Sequence, residues 1–184
     1  VQAGQYDYVI ITANNWMDDF QPLADWKTKK GVPANIVSTS WIYGEYTGSS
    51  NCEKIREFMI DAHNSWGARY FLLGGDTGTI PYHARTFTVT GEPMDVPNDT
   101  YYANMDSGVF TVEVHVGRAS VTGTDHIDTF INKVFTYEKN PPLDDYAERI
   151  GLFGFDLDDA THGEEGEAYI DAHFVPPGWD VTTV

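Results

Sequence analysis

Short apolar runs alternate with helix-like segments in the first half of the chain. Residues 6–12 are almost continuously apolar, which predicts a strand buried on both faces of a parallel sheet. A helix is expected to follow, because Asp18 or Asp19 can cap its start and Pro22 falls in its first turn. Residues 32–39 predict a second strand, so these segments form a strand–helix–strand unit.

The same alternation continues as far as Asp76. The Ser-Ser-Asn sequence at 49–51 offers caps for a second helix, whose apolar residues repeat at helical spacing until Gly67. Residues 68–73 predict a third strand, which runs into the Gly-Gly-Asp sequence at 74–76. This order of elements is typical of a doubly wound α/β fold, so we predict a three-layer α/β/α domain with a mostly parallel sheet.

The pattern after Asp76 is less regular. Residues 80–90 and 109–116 alternate between apolar and polar positions, which predicts short strands or a hairpin. Four later elements are predicted: a helix from Thr124 to the Asn140-Pro141-Pro142 stop, a strand at 149–155, a short helix near 168–174 and a strand at 179–184. We interpret residues 1–184 as a single α/β domain. Because the chain lacks an initiator Met and ends within a predicted strand, we expect that it was cut from a longer protein.

Composition narrows the classes of partner. The 184 residues include 28 acidic and 11 basic side chains, which gives a net charge of −17. Such a surface repels phosphate backbones and anionic lipids and favours cationic substrates and divalent metals. No apolar run is long enough to span a membrane. The single cysteine, Cys52, excludes an intramolecular disulfide and a cysteine-cage zinc site.

Acidic residues supply the first candidate site. Asp76 follows a predicted central strand, at the edge where open α/β folds bind ligands. The glycines before it lead into Pro81 and extended chain rather than into a helix, which argues against dinucleotide binding. Asp76, Asp99, Asp106 and Glu113 could converge as oxygen ligands for calcium. The alternatives are a turn carboxylate that caps its own backbone and a solvated acidic loop.

Two further clusters have simple structural explanations. The acidic residues between Asp156 and Glu167 match the helix–loop–helix calcium pattern only in part, because Ala160 and Thr161 occupy required positions, so we interpret them as a solvated loop. Cys52 lies near a helix start, where the helix dipole favours the thiolate, but no histidine has a spacing that demands proximity. A packed, unreactive cysteine is the preferred interpretation.

Several segments, taken in order, resemble the gingipain-like cysteine peptidases. They are residues 20–31 with Asp25-Trp26-Lys27 and a closing glycine, 70–76 followed by Ile80-Pro81, 99–102, 113–118 ending in Gly-Arg, and the helix end at 137–140. The similarity covers most of residues 6–155. It implies the N-terminal subdomain of a caspase-like α/β catalytic domain, from a secreted or cell-surface cysteine endopeptidase.

The resemblance also implies that the catalytic residues lie elsewhere. In that family the histidine lies in a Gly-His-Gly turn and the cysteine nucleophile follows a later strand, both in the second subdomain. Thr161-His162-Gly163 resembles the turn, but it comes too early and no cysteine follows it. We therefore reject His162 as the base and assign no catalytic or cofactor-binding residue. The implied partners are the C-terminal catalytic subdomain of the same polypeptide and a protein or peptide substrate.

The resemblance implies one metal site inside the chain, a calcium site. The resemblance places Asp76 at the first ligand and Glu113 at the last. Asp106 and Thr111 stand where family members offer backbone carbonyls. Val109 replaces a liganding aspartate, and the side chain of Asp106 could substitute for it. The expected metal residues are therefore Asp76, Asp106, Thr111 and Glu113.

The chain is thus interpreted as a scaffold half of a peptidase, catalytically inert by itself. Two other interpretations stay open. One is a non-catalytic gingipain-like binding or adhesion module, or a pseudo-enzyme. The other is a complete small-molecule-binding α/β protein, which would require the terminal strand to be a natural end.

Overall fold

A computed structural model describes residues 5–89, 91–106, 111–143, 146–156, 160 and 162–183. The chain divides into two compact units, residues 1–135 and residues 136–184. The single α/β domain over residues 1–184 stays a prediction. None of the helices in the described ranges is long and apolar enough to cross a membrane.

The elements follow the predicted alternation. In the first unit they are β1 (Tyr8–Thr12), α1 (Met17–Lys29), β2 (Ala34–Ser38), α2 (Thr39–Glu45), α3 (Asn51–Trp66), β3 (Tyr70–Gly74), β4 (His83–Val89), β5 (Glu92–Asn98), α4 (Thr100–Ala103), β6 (His115–Ala119) and most of α5 (Thr124–Lys139). The second unit contains β7 (Arg149–Leu152), α6 (Gly163–Phe174) and β8 (Asp180–Thr183). Short 3₁₀ turns lie at Asn14–Trp16 and Tyr146–Glu148.

The first unit is built on a four-stranded parallel sheet in the order β2-β1-β3-β6. Successive residues of a strand point to opposite faces of the sheet, so a continuously apolar strand makes both faces apolar. Helices cover both of these faces. Val9 packs with Phe58 and other residues of α3, whereas its neighbour Ile10 packs with Leu23 of α1 and Ile127 of α5. The predicted three-layer α/β/α arrangement with a parallel sheet is therefore confirmed.

Local signals explain where α3 begins and ends. The Ser50 hydroxyl accepts a hydrogen bond from the backbone N–H of Glu53, and Gly67 ends the helix at a φ of 79°. The start of α1 differs from the prediction, because Trp16 occupies the cap position and no side chain caps it. Asp18 and Asp19 lie instead in the first turn, where their charges favour the helix dipole.

The central part of the chain departs further from the predicted pattern. The second strand stops at Ser38, whose hydroxyl accepts the Trp41 N–H and starts α2, a helix that the sequence pattern did not indicate. The sequence predicted short strands or a hairpin from residues 80–90 and 109–116. The first of these segments does form a strand, but its partner is residues 92–98, in the antiparallel pair β4–β5. The end of the second segment instead begins β6, which pairs in parallel with β3. In the second unit β7 and β8 pair in parallel and are accompanied by α6.

Candidate functional site

Asp76 lies just beyond the carboxyl end of β3, as predicted. The N–H of Gly75 donates to the Ala119 carbonyl at 3.0 Å, which ties the end of β3 to the end of β6. The Oδ1 atom of Asp76 accepts hydrogen bonds from the backbone N–H groups of Gly78 and Thr79, both at 3.1 Å. One oxygen of this carboxylate therefore caps its own turn, which was one of the alternatives to metal binding. The other oxygen, Oδ2, accepts no hydrogen bond from the described residues.

Arg118 joins three segments at the same end of the sheet. Its Nε and Nη2 atoms donate to the two carboxylate oxygens of Asp99 at 2.7 and 2.8 Å. Its Nη1 atom donates to the carbonyls of Gly75 and Ile80 at 2.9 and 2.8 Å. We call Arg118, Asp99 and these two carbonyls the strand-end cluster. Sequence reasoning identified Arg118 only as part of a Gly-Arg pair and missed this clamp.

The electrostatics of the strand-end cluster favour a charged guanidinium. Burial opposes the charge of Arg118, but the hydrogen bonds and the negative charge of Asp99 outweigh that effect and raise the pKa of Arg118. Only 12% of the Arg118 side chain and 32% of the Asp99 side chain are exposed. Asp99 is therefore committed to an ion pair and does not act as a free oxygen ligand.

The remaining residues of the predicted calcium site lie at the surface. The Oε2 atom of Glu113 accepts the backbone N–H of Met105 at 2.6 Å, and Asp106 and Thr111 are exposed. Val109 lies outside the described residues. Carboxylate and carbonyl oxygens are the ligands that calcium prefers, so the donor types fit the metal. In the described ranges, however, no three His, Cys, Asp or Glu side chains gather as a metal-binding group, so the calcium site stays a prediction.

Cys52 packs in the hydrophobic core beside the segment before β4 rather than in a catalytic pair. The residue is 8% exposed, and its thiol donates to the Tyr82 carbonyl at 3.2 Å. The hydroxyl of Tyr102 donates to the neighbouring Pro81 carbonyl. Burial raises the pKa of Tyr102, and the adjacent Cys52 raises it further. No histidine among the described residues forms a hydrogen bond with Cys52. The arrangement matches the packed cysteine expected from the sequence.

His162 belongs to the second unit, where it precedes α6. Its Nδ1 atom lies 3.7 Å from Oδ1 of Asp156, and the same carboxylate oxygen accepts the Gly163 N–H at 2.9 Å. The imidazole therefore faces an acidic turn. Asp158 and Asp159 of the predicted acidic loop lie outside the described residues.

A shallow pocket of about 360 Å³ lies beside the strand-end cluster, between α4 and the start of β6. Asp99 and Thr100 line one side, and Val114, His115 and Val116 line the other. His115 stacks on Tyr70 of the neighbouring strand, with ring centroids 5.1 Å apart. His115 is thus a strand-face imidazole, as its alternation with valines indicates.

A parallel sheet covered by helices on both faces, with polar residues at its carboxyl edge, defines the chain as an open α/β protein. The sequence model for peptidase family C25 matches residues 2–183, so the chain belongs to that family. The resemblance to gingipain-like cysteine peptidases is thereby confirmed.

Known relatives show the same relationship. The chain is 23% identical over 139 residues to gingipain R2 of Porphyromonas gingivalis. This match covers 74% of the present chain and 17% of gingipain R2. A match to gingipain R1 of Porphyromonas gingivalis, also 23% identical over 139 residues, covers 74% of this chain and 13% of that protein. The chain thus spans about one sixth or less of the length of these relatives.

Solved structures agree with the fold. The chain is similar to the Arg-specific cysteine proteinase gingipain R, with a TM-score of 0.71 and 19% identity over 97% of this chain and 41% of that chain. A second solved protease gives a TM-score of 0.74 and 22% identity over 98% of this chain and 40% of the other. At these identities the likeness shows the fold alone.

Proposed function

We propose that this chain is the non-catalytic first part of the catalytic domain of a secreted or cell-surface cysteine endopeptidase. It serves there as a scaffold for a catalytic Cys/His pair in a following subdomain. The observation that carries the proposal is the match of a cysteine-peptidase family to residues 2–183, combined with a packed Cys52 that has no histidine hydrogen-bonded to it in the described residues. The solved gingipain R is more than twice as long as this chain, since the match covers 41% of it.

Exposed apolar side chains in the second unit support the proposal that a further subdomain packs against it. The second unit exposes large apolar side chains: Phe153 at 78%, Phe155 at 83%, Tyr169 at 58% and Phe174 at 71%. An apolar surface of this kind usually marks a protein interface. Packing of the C-terminal catalytic subdomain of the same polypeptide against it would remove these aromatic rings from water, which stabilises the association.

The chemistry of a cysteine peptidase leaves the present chain a structural role. A thiolate attacks a peptide carbonyl, a histidine moves the proton, and a covalent acyl-enzyme forms and is hydrolysed. The present chain would hold neither group. The strand-end cluster would fix the carboxyl edge of the sheet, because Arg118 joins β6 to the turn after β3 and to Asp99. That rigidity is the contribution of a scaffold to a neighbouring active site.

Peptide cleavage tests this proposal. The purified 184-residue chain is expected to leave fluorogenic arginyl and lysyl peptides uncut. The parent polypeptide, extended to the length of the gingipain R catalytic domain, is expected to cut a peptide substrate, and Cys52→Ala in that parent should leave kcat/KM unchanged. Cleavage by the short chain that Cys52→Ala abolishes would overturn the proposal.

A calcium ion held by Asp76, Asp106, Thr111 and Glu113 is part of the proposal. The ion would link the turn after β3 to the segment before β6 and offset part of the net charge of −17. Titration calorimetry with calcium should give a binding heat, and chelation should lower Tm. Glu113→Gln keeps an acceptor for the Met105 N–H but loses the charge, so it should weaken binding, whereas Glu57→Gln on α3 serves as the control. The absence of both heat and Tm change in the unmodified chain would refute the calcium site.

The alternative function is a non-catalytic binding module or pseudo-enzyme on the same fold. The missing nucleophile–base pair in the described residues is compatible with it. Sequence downstream of residue 184 in the parent gene separates the two proposals. A Gly-His-Gly turn and a later cysteine support the peptidase, and their absence supports the module.

One similar solved structure is a complex of the pro- and mature domains of RgpB from Porphyromonas gingivalis, and a pro-segment is therefore a further partner proposed for the parent.

A further inference from the structure

The two outer edges of the β4–β5 hairpin differ in hydrogen-bonding capacity. Pro93 and Pro97 of β5 pair with Thr88 and Ala84 of β4. Proline has no N–H, so within a ladder it takes positions whose N–H would point away from the partner strand. Alternation then places Asp95 at an outward position as well. The outer edge of β5 has therefore lost two of these three donors.

The outer edge of β4 keeps all of its donors. The partners of the outward β5 residues are Ala84, Thr86 and Thr88, so the backbone N–H and C=O groups of these three residues also point away from the hairpin. No backbone hydrogen bond from outside the hairpin ends on them within the described ranges. The β4–β5 pair is a two-stranded sheet, which is marginal in water without a further strand.

We propose that this chain self-associates through the outer edge of β4. Two copies of β4 run antiparallel about a two-fold axis at Thr86, which gives a four-stranded sheet in the order β5-β4-β4-β5. In this register Thr86 faces Thr86 of the second copy, and Ala84 faces Thr88. Each outward residue then exchanges two hydrogen bonds with its opposite number, about six in total. The edge is self-complementary, because every outward donor meets an outward acceptor.

The side chains are compatible with the same register. It places Arg85 of one copy directly opposite Phe87 of the other, at a position where cross-strand side chains are close. Within one copy the Arg85 guanidinium already lies 5.3 Å from the centroid of the Phe87 ring. A cation and an aromatic ring attract each other, and no like charges face each other across the axis. The pairing of Arg85 with Phe87 across the axis therefore favours a second copy as the occupant of this edge.

Two exposed apolar patches would become continuous in the dimer. Phe87, Met94 and Val96 lie on one face of the hairpin and are 42%, 52% and 38% exposed. The contact involves only one strand edge, so its area is below that of stable dimers and the association is weak. Two chains of charge −17 also repel each other. Salt screens that repulsion, so the dimer should strengthen as ionic strength rises.

Sedimentation of the 184-residue chain tests the proposal. Between about 10 μM and about 1 mM protein, the dimer fraction should rise with concentration, and more steeply in about 500 mM than in about 50 mM NaCl. Hydrogen exchange should show that the amides of Ala84, Thr86 and Thr88 gain protection over the same range. The Asp95 amide should gain none.

Two matched proline variants locate the interface. Thr86→Pro removes an outward N–H from β4, and Asp95→Pro removes the corresponding N–H from β5. Both variants lose the 2.6 Å hydrogen bond between the Thr86 hydroxyl and Asp95, so their effects on the hairpin itself are comparable. Thr86→Pro should weaken dimerisation at least about tenfold, because both copies lose a donor at the axis. Asp95→Pro should dimerise like the unmodified chain.

Three outcomes would overturn the proposal. The chain could sediment as a monomer at about 1 mM in high salt, where the dimer should be most stable. The two proline variants, compared at matched Tm, could weaken association equally. Protection of the β4 amides could also occur in a strictly monomeric sample containing an added extended peptide, in which case the edge accepts a foreign strand and not a second copy. None of these outcomes depends on peptidase activity, so the proposed function is tested separately.

Discussion

Replacement of Arg118 by alanine is the sharpest test of the strand-end cluster. The guanidinium donates two hydrogen bonds to Asp99 and one each to the carbonyls of Gly75 and Ile80. The variant would leave a carboxylate and two carbonyls without their cation. Breaking a fully buried ion pair costs about 3–5 kcal/mol, but Asp99 is 32% exposed and keeps some water. We therefore expect the free energy of unfolding to fall by about 2–4 kcal/mol.

Urea denaturation followed by tryptophan fluorescence measures this change. Arg118→Lys keeps the charge but loses the planar fork that binds Asp99, so it should lie between the unmodified chain and Arg118→Ala. Arg69→Ala is the matched control. Arg69 also binds a carboxylate through Nε and Nη2, that of Asp7, but its side chain is 59% exposed. Water and salt screen that pair, so its loss should have a smaller effect.

The comparison between the two arginines decides whether burial matters. Equal losses of stability in Arg118→Ala and Arg69→Ala would refute the reasoning, because geometry alone would then explain both. A loss below about 0.5 kcal/mol in Arg118→Ala would also refute it, since that is the size of an ordinary surface substitution. A larger loss in Arg118→Lys than in Arg118→Ala would show that the cluster does not require a cation.

Three further predictions concern local packing, helix capping and the pH dependence of stability. Gly74→Ala should destabilise the chain by about 1–3 kcal/mol, because the added Cβ would lie 2.8 Å from the Phe20 ring. A Cβ added at Gly117 on β6 would meet no atom within 4 Å, so Gly117→Ala should cost less. Thermal denaturation compares the two variants. Ser50→Ala should cost about 1 kcal/mol through loss of the α3 cap, measured by the same method. Hydrogen bonds from the Ser49 side chain and backbone lower the pKa of Glu53, so its contribution to stability is present above about pH 4.3 and is lost as the pH falls. Glu53→Gln should flatten the pH dependence of Tm in that acidic range, and an unchanged profile would contradict the assignment.

The fold could be predicted where local chemistry and burial agree. The apolar run before Thr12 predicted a strand covered on both faces, and β1 lies between β2 and β3 with helices on both sides. Ser50 and Gly67 predicted the ends of α3 because a hydroxyl cap and a left-handed glycine act over three or four residues. The start of α2 escaped prediction, since the β-branched residues before it favour a strand and only Ser38 marks the change.

The site could be predicted only in part. Asp76 was located correctly at the end of β3, because parallel strands bring their carboxyl ends to one edge of the sheet. The partner of Asp99 was not, because Arg118 is 19 residues away and its choice among nearby carboxylates depends on how α4 and β6 are packed. The calcium ligands rest on the family resemblance and stay a prediction.

Sequence alone determined the alternation of strands and helices, the family, the negative charge and the absence of a second cysteine. These properties follow from residue type and from contacts within a few positions. Tertiary structure decided which groups meet: Arg118 with Asp99, Cys52 with the Tyr82 carbonyl, and β4 with β5. The physical reason is that such contacts join residues distant in the chain, so their formation depends on packing, which local sequence does not encode.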